Sequence, residues 1–312
     1  MSIVFHNDPF TPSDRLSTFS VESLGASSGI RRSVPIPTEY LPTAVDAARL
    51  RVGARTLPID QWVSVPDDDW APTLAMKQQL IRDRYGEVVG FHDEARDACE
   101  EAAQGVLGSF GLSQSEQEGI DALVDAAAAV ADDLCILLPD ANGIARLRAA
   151  VLCSPNRWRL ADKLGGTMSE IHSPVARYDQ DLRSPVDAVI ARLHTDRPLW
   201  RVNWGVANHP SLFQPDIPPA TPEMNPADMW VRVEWQTLRK LPETGAILFT
   251  IRTFVESMGN FFTREYDIVH GFADLISKIP DNVAQYKSIA PYRDALYASL
   301  DTRCVFRLCN RR

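Results

Sequence analysis

The segment Met229-Trp230-Val231-Arg232-Val233-Glu234-Trp235-Gln236-Thr237-Leu238-Arg239 limits the possible folds more than any other. Its residues alternate between apolar and polar. Successive side chains of a strand point to opposite faces, so Arg232, Glu234 and Gln236 share one face while Val231, Val233 and Trp235 take the other. After a turn containing Pro242 and Gly245, the run 246–254 reads as a second strand carrying Arg252, which makes a β-hairpin with one densely polar face. On an antiparallel sheet such a face is either solvated or the wall of a polar pocket, and the hairpin alone leaves both readings open.

Upstream, 133–138 is a short apolar strand, Asp140-Ala141-Asn142-Gly143 supplies turn residues, and 144–153 returns as its partner. Leu199-Trp200-Arg201-Val202-Asn203-Trp204 is a further strand. Helical periodicity runs from Leu74 to Val89, over 94–110, over the alanine-rich 116–131, and over 158–171 and 184–193 with an interruption at Pro174. The acids Asp67, Asp68 and Asp69 suit the start of the first helix, where negative charge meets the positive end of the dipole. The last third, 261–300, reads as two helices broken at Pro280 and Pro291.

This order predicts an α+β fold: a five-stranded antiparallel sheet with helices on one face, the element order of a PAS domain, with flanking N- and C-terminal helices. A hollow between sheet and helices is where such a fold holds small ligands. The expected organisation is an extended or mobile arm over 1–56, one ligand-binding domain over 57–303 and a tail over 304–312.

The composition, 45% hydrophobic and 23% charged over 312 residues, suffices for a substantial core. A net charge of -9 with no concentrated basic stretch excludes nucleic acid as a partner. No apolar run reaches the roughly 20 residues that span a bilayer, and no signal-peptide pattern opens the chain, so a cytoplasmic protein without a membrane partner is expected. Cys99, Cys135, Cys153, Cys304 and Cys309 are odd in number and lack a Cys-x-x-Cys pair, which predicts neither a disulfide framework nor a zinc or iron–sulfur site.

Nucleotide-binding and hydrolase signatures are missing from the sequence, so a polar-walled hollow points to chemistry carried by a prosthetic group, for which haem is one candidate. Haem requires an axial ligand, an apolar slot and cations for its propionates. Of the six histidines, His6 lies in the arm, His92 and His270 on outer helices and His209 in a proline-rich loop, leaving His172 and His194. His172 ends a helical stretch just before Ser173-Pro174, where the proline restricts the preceding residue, and a histidine there is either structural or a ligand. Trp158-Arg159, Trp200-Arg201 and Trp204 bring indoles and guanidinium groups to the same region, suited to stacking at a core edge or to gripping carboxylates.

The runs Ser154-Pro155-Asn156-Arg157-Trp158-Arg159-Leu160-Ala161-Asp162-Lys163-Leu164-Gly165, Ile171-His172-Ser173-Pro174-Val175-Ala176-Arg177-Tyr178 and Trp200-Arg201-Val202-Asn203-Trp204, together with the hairpin, resemble the haem-dependent oxidative N-demethylase α-subunit family. The resemblance covers residues 57–300. It implies a fold of PAS type that binds haem b and acts as an oxygenase on a small amine such as dimethylamine, or a related organic substrate, with O2. Electrons would come from NADPH through separate subunits bearing FMN and a 2Fe–2S cluster. This chain has neither the cysteine spacing for that cluster nor a dinucleotide loop, so a partner reductase is implied.

By motif, His172 resembles the proximal iron ligand, with His194 in reserve, while Arg232, Glu234, Gln236 and Arg252 resemble pocket residues. Trp158, Arg159, Tyr178 and Arg201 fall in the shared motifs and are expected at the cofactor. Where the family has a His-x-Pro-Val-Pro-Gly-Tyr-like stretch, this chain has Ala176-Arg177, which bears on local pocket shape. In the expected mechanism Arg232 or Arg252 stabilises negative charge on activated oxygen, and Glu234 either meets one of those arginines or holds a cationic amine. Two other classes fit the same parts: a haem-based gas or redox sensor signalling through a separate partner, and a non-catalytic small-molecule-binding or structural protein.

Overall fold

The computed structural model describes residues 35–42, 53–175, 177–219, 221 and 223–309, with side chains through Asp301. Its centre is one open antiparallel sheet. The strands are β1 (Arg55–Thr56), β2 (Val89–Phe91), β3 (Asp133–Pro139), β4 (Ala145–Val151), β5 (Leu199–Ala207), β6 (Trp230–Lys240) and β7 (Ile247–Ser257), in the spatial order β1-β5-β6-β7-β3-β4-β2. The five strands read from the sequence form the middle of this sheet. Short β1 and β2 extend it at the two edges to seven, a correction to the five-stranded expectation: pairing with a neighbour, which two or three residues cannot advertise by periodicity, is what defines them.

The β6–β7 hairpin closes where Leu241 N–H donates to the Ala246 carbonyl at 2.8 Å, with Gly245 at φ 69° supplying the left-handed residue. In the β3–β4 hairpin the Asp140 carboxylate accepts from the N–H groups of Asn142 and Ile144, an Asx-type brace, and Gly143 takes φ 77°.

One sheet face is covered by long helices. At the β3/β4 end these are α1 (Trp70–Asp83), the short α2 (Tyr85–Val88), α3 (Arg96–Ser109) and α4 (Gly119–Ala129). Ala102, Val106, Leu123 and Ala127 there pack with Leu134, Ile136 and Leu248 of the sheet. The same face at the β5/β6 end meets residues 258–300. In α9 (Tyr266–Lys278), Val269, Phe272, Ala273 and Ile276 are buried at the three- and four-residue spacing of one helix face. Burying a side chain such as Phe272 contributes about 1.5–3 kcal/mol. The short α8 (Met258–Phe261) leads into this stretch, and α10 (Asp281–Tyr286) and the start of α11 (Arg293–Cys309) follow α9, so the two helices expected over 261–300 are three.

The opposite face carries only short helices, α5 (Leu160–Lys163), α6 (Met168–Ile171) and α7 (Arg183–Ala191). Helices thus lie on both faces rather than one. The continuous helix expected over 158–171 is interrupted because Gly165, at φ 82°, bonds back to the Leu147 carbonyl at 2.7 Å and leads into a separately capped α6. Trp158, Met168, Ile171 and Ile190 pack with Leu137, Leu147 and Ile251, and beside them a cavity opens.

Residues 1–34 and 43–52 of the expected arm, and with them His6, lie outside the described residues, but its described part is docked. Ile36 is buried, Tyr40 stacks on Trp235 at 5.7 Å, and Arg264 bridges the Ile36 carbonyl to Glu256. At the other end α11 runs to Cys309, through most of the expected tail. No described helix is long and apolar enough to cross a membrane.

Candidate functional site

The cavity, of about 350 Å³, lies between the polar face of β5 and β6 and the segment that contains α6 and α7. Register places Arg201, Asn203 and Gly205 of β5 opposite Gln236, Glu234 and Arg232 of β6, so all of these face one way. The polar face of the hairpin is therefore a pocket wall. The apolar end of the cavity is built from Cys135, Leu137, Leu147, Met168, Ile190 and Ile251.

His172 stands at the end of α6. A capping box fixes the start of that helix: Thr167 Oγ1 accepts from Glu170 N–H, and Glu170 Oε2 accepts from Thr167 N–H at 2.7 Å. One turn on, the Met168 carbonyl accepts from His172 Nδ1 at 2.8 Å. A carbonyl can only accept, so Nδ1 carries the proton and Nε2 keeps its lone pair. Burial holds the imidazole pKa below its ordinary value, against the bond to Met168 and with Arg201 and Lys163 adding repulsion. The ring stacks on Tyr178, centroids 4.8 Å apart and planes within 6°. A neutral imidazole braced at one nitrogen and basic at the other is the form that ligates a metal.

Glu234 sits in a network of its own. Its Oε2 accepts from Gln236 Nε2 at 2.9 Å and from Asn203 Nδ2 at 3.2 Å, and Arg232 Nε lies 3.7 Å from Oε1. Arg232 also ties loops to the sheet, donating to the carbonyls of Leu212 at 3.1 Å and Ser154 at 2.7 Å. Burial lowers the Arg201 pKa, opposed by Glu234, and no described residue bonds its guanidinium.

The cavity holds Trp158, His172, Tyr178, Arg201, Arg232, Glu234 and Gln236 of the residues expected there. Arg252 and Arg159 are elsewhere. Arg252 pairs with Trp235 across β6 and β7 and so occupies the opposite face, where its guanidinium grips both Asp67 oxygens at 3.0 Å, donates to Thr73 Oγ1 and lies over the Phe254 ring. The acids before α1 thus hold a cation as well as opening the helix. Arg159 is exposed and forms a two-pronged pair with Asp216, Nε at 3.0 Å and Nη2 at 2.7 Å. The reserve ligand His194 is exposed and outside the cavity lining.

Three lining cations or donors escaped the sequence reading. Arg157, Lys163 and Lys287 reach the cavity from loops and helix ends, where no periodicity announces a direction. Arg157 and Lys163 do fall within the 154–165 motif, which was the available signal. After His172, Arg177 takes φ 59°, a conformation suited to the glycine of the family pattern, and its side chain pairs with Asp181 at 2.8 and 3.0 Å.

Compared with protein families, residues 106–297 match the family described as haem-dependent oxidative N-demethylase, alpha subunit-like. The matched stretch runs from within α3 to within α11 and includes every cavity-lining residue named above. Because it spans more than half of the sequence, the chain belongs to the haem-dependent oxidative N-demethylase alpha subunit-like family.

Proposed function

We propose that this protein is the haem-binding, substrate-oxidising subunit of an oxygenase that acts on a small amine or related organic compound with O2, receiving electrons from a separate reductase. The reductase would carry the NADPH, FMN and 2Fe–2S chemistry. A PAS-like ligand-binding role for the central sheet, and a cytoplasmic setting, belong to the same reading.

The observation that carries it is the tautomer of His172: Nδ1–H is given to Met168, so Nε2 faces its surroundings with a lone pair. The rest of the lining fits haem b. Apolar side chains from β3, β4 and α7 offer a slot for a flat macrocycle, Trp158 and Tyr178 flank it, and Arg201 offers charge for a propionate. Bound haem supplies one-electron and dioxygen chemistry.

The protein's own groups prepare the space around it. Tyr178 steadies the imidazole plane by stacking. Arg232 holds the loops bearing Ser154 and Leu212 against the sheet, which closes that side to water, and its charge favours negative charge developing nearby. Glu234, bonded by Asn203 and Gln236 and beside Arg232, is already compensated, so its role is to set the cavity potential rather than to hold an ammonium ion. Among the described residues lining the cavity, Arg157, Lys163, Arg201, Arg232 and Lys287 outnumber the one carboxylate, Glu234, which disfavours a protonated amine and favours a substrate that enters neutral or carries an acid group.

Absorption spectra of the purified full chain expressed with ample haem supply test the proposal, recorded oxidised, dithionite-reduced and with carbon monoxide, beside a His172→Ala variant. A Soret band that shifts on reduction and on carbon monoxide addition, and is lost or altered in the variant, is expected. A wild-type protein that retains no haem would overturn it.

A further inference from the structure

We propose that the corner of the cavity formed by Arg157, Arg201 and Lys287 is a carboxylate-binding subsite. It deepens the reading of this cavity as the functional site and rests on it.

Arg201 is the first observation. It stands in mid-strand on β5, its Nε is buried without a hydrogen-bond partner, and no described residue forms an ion pair or hydrogen bond with the group. A guanidinium nitrogen withdrawn from water without a partner is costly, and Glu234, the carboxylate that acts on Arg201, is taken by Asn203, Gln236 and Arg232. An anion from outside the chain would relieve that cost.

Lys287 is the second. Its Nζ donates to Asn203 Oδ1 at 3.2 Å and to the Trp204 carbonyl, and lies over the Trp204 ring at 4.8 Å. An ammonium has three donors, so one remains for a ligand. Burial pushes its pKa down to about 8, against Glu234 and with Arg201 and Arg157 adding to the shift, as expected where cations crowd without enough anions.

Backbone conformation is the third. Arg157 at φ 64° and Ser288 at φ 54° both line the cavity in the left-handed region, and Arg157 binds the backbone next to Ser288, donating from Nη1 to the Lys287 carbonyl at 3.0 Å and from Nη2 to that of Val206 at 3.2 Å. Holding residues with side chains in this conformation costs energy, and such positions gather at ligand sites. These two positions stand where Arg157 and Lys287, 130 residues apart, meet at one corner of the cavity.

A carboxylate bridging the Arg201 fork and Lys287 could belong to a propionate of the cofactor or to an acidic substrate. The full chain, stripped of haem and titrated with haem and with haem dimethyl ester, separates these sources. If the cofactor supplies the carboxylate, Arg201→Met and esterification each weaken binding by about tenfold or more, the two losses do not add, and Arg201→Lys recovers part of the loss. If esterification has no effect, benzoate should shift the spectrum of the haem-loaded wild type and lose affinity in Arg201→Met, which assigns the subsite to substrate. Haem and ester binding unchanged by Arg201→Met, with no Arg201-dependent benzoate response, would overturn the proposal while leaving the haem reading intact. Should the wild type take up neither porphyrin, the haem reading falls, and calorimetric titration of benzoate into the haem-free chain decides the subsite alone: Arg201-dependent binding supports it and its absence overturns it. Lys287→Met carries the same comparisons should Arg201→Met fail to fold.

Discussion

The Met168 carbonyl accepts from both the backbone N–H and the imidazole Nδ1–H of His172, at 3.0 and 2.8 Å. One atom of a four-residue helix therefore sets where the ring is and which nitrogen is basic. A helix this short has no stability of its own and depends on its cap.

Replacing Thr167 with Ala removes half of the capping box and should cost about 1 kcal/mol in denaturant unfolding. The loosened turn should also speed haem loss from the wild-type rate. A variant as stable as the wild type would show that packing, not the cap, holds α6.

Arg252→Met should be among the most damaging single changes, costing about 3 kcal/mol or more, because it leaves the buried Asp69 and the exposed Asp67 without their cation. Haem affinity, measured where the variant is folded, should match the wild type. A variant of normal stability with altered haem spectra would place Arg252 in contact with the cavity after all.

Lys287 provides a pH signature. Its pKa is about 8 in the fold against 10.5 as a free side chain, so the unfolded chain binds more protons between these values and folding stability rises with pH across the window. Arg201, Arg157 and Glu234 are the charged groups that act on it. Chemical denaturation of the ligand-free protein at pH 7, 8, 9 and 10, compared with Lys287→Met, should isolate this slope, at most about 1.4 kcal/mol per pH unit for one proton. In Glu234→Gln the rise should begin at lower pH, since the carboxylate that supports the ammonium is gone. Equal slopes in wild type and Lys287→Met would contradict the burial of the amine.

Arg177→Gly should stabilise the protein by about 0.5 kcal/mol, as relief of the left-handed strain outweighs an exposed pair with Asp181 and the added freedom of the unfolded glycine. Thermal melts check it. A loss of about 1 kcal/mol instead would mean that the Asp181 pair is worth more than exposed pairs generally are.

How far the fold and site were legible follows from where the information sits. Arg232, Glu234 and Gln236 share a strand, and a period of two within one strand fixes their common face, so alternation found the wall. Arg252 lies on the next strand, and which of its residues turn to the same side depends on register across the 241–246 turn: Glu234 meets Thr253 and Trp235 meets Arg252. A slip of one would exchange the faces, and composition does not reveal it. Lys77 was hidden differently. Nothing in the helical run 74–89 singles it out, yet it is fully buried, with Nζ donating to the Val130 carbonyl at 2.9 Å and to that of Asp132, and 3.8 Å from Asp133. Arg157 and Lys287 meet only through tertiary folding, since nothing local to either records the other.

The sheet thins to two residues at β1 and three at β2, while β6 and β7 at its centre run to eleven each. Outer strands so brief offer a neighbouring molecule too few unpaired amide and carbonyl groups to continue the ladder. At the β1 edge only Leu199 and Trp200 of the nine-residue β5 are paired outward by a described strand, so trimming residues 55–56 would leave that whole side of β5 without a described partner strand.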